Sequence, residues 1–203
     1  MLLQIRQRLP PEDFWIKVVE NLIAAHTQFF LRKTNYWASM NARDAQMARN
    51  LDWLCRVKYP QEKIIVWAHN YHISKFAGQA KEDFLQAARP MGAVFTADSA
   101  HRSNTYILGF TSHSGKAGRL GQKTFNIDKP GKNSLETWFR SDWEYGFVDF
   151  VGYNADCLPE QADWFSLKGS VIGKHFNHTA QWSRIFDGVF YLKKMYPCRQ
   201  VRE

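Results

Sequence analysis

Apolar residues along the chain follow two kinds of pattern. Trp15, Val18, Val19, Leu22, His26 and Phe29 recur at helical spacing behind Pro10, Pro11, Glu12 and Asp13. Proline suits a first helical turn and acidic side chains favour the positive helix end, so this stretch predicts a helix packed along its apolar stripe, with His26 a core histidine. A second helix is predicted over Met40 to about Val57. Its Arg43, Met47, Asn50 and Leu54 step by four, three and four residues and share one face. A guanidinium on an apolar face is costly unless paired. That face therefore predicts either an internal network with the neighbouring Asp44 or the border of a polar cleft.

The other pattern is an unbroken apolar run, Ile64 to Ala68, too short for a helix and bounded by turn residues. It predicts a strand covered on both faces, with His69 at its carboxyl end, where open α/β sheets bind ligands. Downstream, helix is expected on both sides of Pro90, with Met91 and Gly92 opening the second. Thr105 to Thr111 reads as a strand, "SHSGKAGRLG" as a glycine-punctuated loop, Ser134 to Arg140 as a short helix, and Gly188 to Leu192 as a last strand. This alternation predicts an α/β fold with a mixed or mainly parallel sheet and flanking helices. One domain is expected over 1–203, with a helical lead-in over 1–34 and no internal repeat or linker.

Composition narrows the partners. With 45% hydrophobic and 15% aromatic residues, the 203-residue chain has the material for a packed core. Twenty-seven Lys and Arg against nineteen Asp and Glu give a net charge of +8. The positive charges are scattered, and no long basic block of the kind a nucleic-acid arm carries is present, so a solvated surface is the expectation. Cys55, Cys157 and Cys198 are odd in number and far apart, without a C-x-x-C pair, which fits a reducing compartment. No apolar stretch approaches the ~18 residues that cross a bilayer, and the expected location is cytoplasmic, with no membrane and no nucleic-acid partner.

His69 and His72 are the residues with most chemistry to offer. If a helix begins near Asn70, both lie on its first turn, facing the end of the strand. The positive end of a helix favours neutral imidazoles, suited to accepting a proton or bonding water. Three uses stay open on spacing: holding a strand-to-helix turn, a catalytic pair, or metal ligation. His175 and His178 repeat the spacing, but H-x-x-H without H-E-x-x-H is a weak pattern, and surface or packing roles are expected for them. No G-x-S-x-G elbow, phosphate-binding P-loop or strand-borne G-x-G-x-x-G occurs, which argues against elbow-type serine hydrolases, P-loop enzymes and Rossmann dehydrogenases.

Three segments taken together, "NARDAQMARNLDWL", "KIIVWAHNYHISK" and "MGAVF", resemble in order and spacing the erythromycin esterase family, which includes proteins labelled as succinoglycan biosynthesis proteins. "YILGFTSHSG", "SLETWF" and "DGVFYLKK" are similar to later family segments. The resemblance implies hydrolysis of a carboxylic ester, macrolactone-type or related, by histidine-assisted attack of water without metal or other cofactor. It assigns His69 and His72 to catalysis, and Arg43, Asn50 and Asn70 to substrate binding, Arg43 supporting the oxyanion. The family's Gly-Glu-x-His-type motif has no counterpart before Arg43. The chain is therefore expected to match the carboxyl-terminal portion of a family member, with a small-molecule ester as substrate. Self-association, or an amino-terminal half on another chain, is expected to complete it, since an incomplete sheet exposes a strand edge or an apolar face. The alternative is an inactive, ligand-binding remnant.

Overall fold

A computed structural model describes residues 1–75, 86–118, 120–156, 164–169 and 177–198. The chain divides into two compact units. One comprises Met1–Ala68 with Ala87–Thr105, and the other His69–Ser74 with the chain from Tyr106 onward.

The first unit is helical. It contains α1 (Leu2–Arg6), α2 (Phe14–Leu31), α3 (Tyr36–Trp53), α5 (Met91–Phe95) and α6 (Ser99–Ser103), while α4 (Asn70–Ile73) belongs to the second. Sequence sets the helix starts: the Asp13 carboxylate accepts the Trp15 N–H at 2.9 Å, and the Asn35 side chain accepts that of Ala38 at 2.9 Å. The helix behind the prolines thus begins after Asp13. α3 runs into a wider π turn, Leu54–Lys58. The Trp53 indole N–H reaches the Pro11 carbonyl at 2.9 Å and fastens the start of α2 to the end of α3.

Two expectations for this unit are corrected. On α2 only Val19 is buried; Trp15, Leu22 and Phe29 face outward, and His26 is exposed with its ring 4.6 Å from that of Phe30. A helical period gives the direction of an apolar face but not its cover. The run from Ile64 to Ala68, expected to be a covered strand, carries no strand assignment, and Ile65 is 92% exposed. Among the described residues no strand pairs with Ile64–Val66.

The second unit carries the sheets. β1 (Leu108–Ala117), β2 (Phe125–Asn126), β3 (Tyr145–Asp149) and β6 (Gly188–Met195) form a sheet in the order β2-β1-β6-β3. β1 and β6 run parallel, and the other two pairings are antiparallel, which makes the sheet mixed. The "SHSGKA" stretch expected as loop belongs to β1, which continues its ladder with β6 as far as Gly115 opposite Met195. β4 (Phe165–Lys168) and β5 (Asn177–Ala180) form a separate antiparallel pair. A single 3₁₀ turn at Leu135–Thr137 replaces the helix expected to Arg140, and α7 (Phe150–Asp156) and α8 (Trp182–Ile185) complete the unit. Leu135, Phe150, Phe165, Leu167, Trp182 and Val189 are buried in its core. The Phe139 ring stacks on Tyr191 at 4.1 Å across Gly146, where a Cβ would fall 2.5 Å from that ring. No described helix is long and apolar enough to cross a membrane.

Candidate functional site

The turn that bears both histidines is built locally. His69 has extended backbone and is the N-cap of α4, its Nδ1 accepting the Tyr71 N–H at 3.1 Å. A ring nitrogen that accepts an N–H carries no proton, so the neutral His69 ring holds its proton on Nε2. The backbone N–H of His72 donates to the His69 carbonyl at 2.9 Å, and the Ser74 hydroxyl closes the turn on the Tyr71 carbonyl at 2.7 Å. His69 is exposed and His72 half-buried, whereas Asn70, Tyr71 and Ser74 are buried beneath them. The helix expected near Asn70 is thus present, and it presents two imidazoles from a single turn.

Asn70 attaches that turn to the sheet. Its amide NH₂ donates to the Phe110 carbonyl at 2.6 Å and the Gly169 carbonyl at 3.1 Å, and its oxygen accepts the Phe110 N–H at 2.9 Å. The side chain is 6% exposed. All three contacts are to backbone, so Asn70 holds the turn in place, a different use from the substrate contact expected of it. Gly169 sits at φ +68°, in the left-handed region that favours glycine.

Beside this attachment lies a buried polar group that sequence reasoning missed. The Glu136 carboxylate, 1% exposed, accepts the Thr111 and Ser134 hydroxyls and, at 3.0 Å, the Lys168 N–H. Lys168, with no exposed surface, donates its ammonium to the His113 and Asp128 carbonyls at 2.7 Å each. Burial pushes the Lys168 ammonium below its usual range, opposed by the charges of Glu136 and Asp128. Burial, then the charge of Lys168, lowers His113 as well. Nothing in "SLETWF" or "SLKG" distinguishes these residues from ordinary surface charges.

Arg43 and Asn50 lie in the first unit, on α3. Arg43 is exposed and Asp44, its neighbour, is fully buried, with a carboxylate oxygen accepting the Met91 N–H at 3.0 Å at the start of α5. The expectation that Arg43 turns toward apolar neighbours is therefore corrected: Asp44 is the inward member of the pair. Asn50 exchanges hydrogen bonds with Asn21 on α2 and accepts one from Gln46 at 2.8 Å. His101 lies in the same unit, its Nε2 2.7 Å from the Asp52 carboxylate and its ring stacked on Phe95 at 4.0 Å. His178 stands on β5, and His175 falls outside the described residues. Among the described residues, no three His, Cys, Asp or Glu side chains converge as metal ligands.

A turn delivering two histidines to the surface, anchored through an asparagine between them, matches the W-A-H-N-x-H resemblance. The family model described as erythromycin esterase matches residues 4–195. The chain belongs to the erythromycin esterase family. YbfO of Bacillus subtilis (strain 168) is 32% identical over 160 residues, covering 76% of this chain and 35% of that protein. Two solved family-like structures share the fold. A succinoglycan biosynthesis protein has a TM-score of 0.61 at 15% identity, covering 95% of this chain and 53% of its own. A mutant of the erythromycin esterase EreC in its open conformation has a TM-score of 0.58 at 18% identity, covering 88% and 43%. The chain spans about a third of the length of the curated relatives it matches. Its mixed α/β architecture is that of its structural neighbours.

Proposed function

We propose that this chain supplies the two-histidine portion of a site that hydrolyses a carboxylic ester, macrolactone-type or related, without a metal. The observation that carries this reading is the capping bond from Tyr71 N–H to His69 Nδ1 at 3.1 Å. It gives the two rings unequal roles. His69 has an Nε2–H to donate, the group needed by an ester carbonyl oxygen as it gains charge. His72, three residues on, is assigned the acceptance of a proton from water. Water oxygen bonds to the carbonyl carbon, its proton passes to the imidazole, and the alkoxide leaving group takes that proton as the C–O bond breaks. Arg43, exposed on α3, is proposed as a substrate-binding residue on the strength of the family resemblance.

The relatives' greater length and the outward apolar face at Ile65 favour a second element: an amino-terminal family half, on this or another chain, that covers the face and completes the site. The test is hydrolysis of erythromycin and a panel of simple esters, followed by mass spectrometry, for the native chain and its His69→Ala and His72→Ala variants. Turnover lost in both supports the proposal. Turnover that survives in both refutes it.

A further inference from the structure

Glu136 and Lys168 are buried, charged and unused by the mechanism above. They lie on either side of the point where the histidine turn is attached. Asn70 bonds to two backbone sites, Phe110 and Gly169. Each immediately adjoins a residue held by Glu136: Thr111 follows Phe110 and donates its hydroxyl to Glu136, and Lys168 precedes Gly169 and donates its backbone N–H to Glu136 at 3.0 Å. The Thr111 hydroxyl also lies 3.4 Å from the Lys168 carbonyl. The contacts therefore close a ring from Asn70 through Phe110, Thr111, Glu136, Lys168 and Gly169 back to Asn70.

We propose that Glu136 and Lys168 are positioning residues for the His69–His72 turn, fixing the separation of the two backbone sites from which Asn70 suspends it. This deepens the reading of the histidines as functional and rests on it. A buried carboxylate that accepts three hydrogen bonds tolerates little displacement, because moving it strands donors away from water. Lys168 carries the compensating charge and ties the same point to β1 through the His113 carbonyl. Displacement of Phe110 or Gly169 moves Asn70, and with it the backbone geometry by which His69 caps α4. A packing role alone would require none of this to reach the imidazoles.

Long-range ¹H–¹⁵N correlation spectra of the imidazoles of the ¹⁵N-labelled chain at about pH 8, where an ordinary His is neutral, test the idea. The His69 signal is assigned among the seven histidines by its loss in His69→Gln. In the native chain His69 shows one tautomer, protonated at Nε2. In Glu136→Gln, which leaves the Lys168 ammonium without its carboxylate, and in Thr111→Val, which removes one hydroxyl at nearly constant volume, both ring nitrogens shift toward a tautomer average. Thr111→Ser, which keeps the hydroxyl, retains the native pattern, and Glu136→Gln combined with Lys168→Met recovers it in part. Melting curves are taken for every variant. A folded Thr111→Val with a native His69 pattern overturns the proposal, whatever its melting temperature, and that comparison stands even if Glu136→Gln fails to fold. Because the readout is independent of turnover, a native chain without ester hydrolysis would count against the proposed reaction and leave this result intact.

Discussion

Asn70→Ala removes three hydrogen bonds at once, of 2.6, 2.9 and 3.1 Å, and leaves the Phe110 N–H and two carbonyl oxygens without the amide. A protein hydrogen bond contributes about 1 kcal/mol net, and a buried group left unsatisfied costs about 1–3 kcal/mol. The contact to Gly169 is buried and the two to Phe110 are part-buried, so the loss works out to about 3 kcal/mol. With a urea slope of about 2 kcal/mol/M, the transition of the unit containing Asn70 moves down by about 1.5 M. Tryptophan fluorescence reports it, since Trp182 is buried in that unit. Asn70→Asp is the sharper probe. It keeps the shape and the acceptor for the Phe110 N–H, yet sets an anion against two carbonyl oxygens. It should destabilise at least as much as alanine at neutral pH and recover, relative to the native chain, as acid supplies the carboxyl proton that one carbonyl can accept. Either variant within 0.5 kcal/mol of the native chain would refute the assignment of Asn70 as the anchor.

Asp44→Ala should cost about 2 kcal/mol, the loss of a buried charged acceptor at the start of α5, while Arg43→Ala should stay within about 0.5 kcal/mol, as for a surface side chain; chemical denaturation separates the two. Partial burial pushes Asp52 up, but hydrogen bonds from His101 and Arg56 outweigh it and hold the carboxyl below its usual range. A depressed folded-state pKa means that its stabilisation is present above the unfolded value near 3.9 and is lost as pH falls through the folded one, so the stability gap between the native chain and Asp52→Asn should narrow below about pH 4. In sedimentation velocity the native chain should self-associate when no amino-terminal half is supplied, and Ile65→Lys should shift it toward monomer; a monodisperse native monomer would count against the Ile65 face as a docking surface.

Fold class could be read from the sequence because alternating periods survive whatever covers them. α5 opens at Met91 as expected, behind Pro90, whereas α3 begins at Tyr36, four residues before the expected Met40, because the cap at Asn35 does not show as a start in the apolar pattern. Expectations failed where a residue's surroundings had to be guessed. Ile64 to Ala68 has strand composition, but composition is silent on which chain would hold a neighbouring strand. Serine and glycine in "SHSGKA" read as loop, whereas pairing with β6 overrides that weak local preference and accommodates Gly115 at φ +118°. On α3, Arg43 and Asp44 stand about 100° apart at the border of the apolar stripe, and periodicity cannot choose which of two adjacent charges turns inward. The choice is made by the Met91 N–H, 47 positions away, which requires an acceptor.

The site shows the same division at finer scale. Sequence spacing puts two imidazoles on one turn and makes them look interchangeable. What separates them is the direction of one backbone N–H: it points from Tyr71 into His69 Nδ1 and thereby fixes a donor at Nε2, while the backbone N–H of His72 is taken up by the His69 carbonyl. That geometry depends on Asn70 being held at both Phe110 and Gly169, and those two points depend on a glutamate and a lysine 32 residues apart. Spacing can therefore bring two residues to one turn, but the difference between them is set by buried partners that carry no local signature, so removing the buried hydroxyl of Thr111 on β1 should alter the chemistry of His69 more than substitutions on the solvent side of α4.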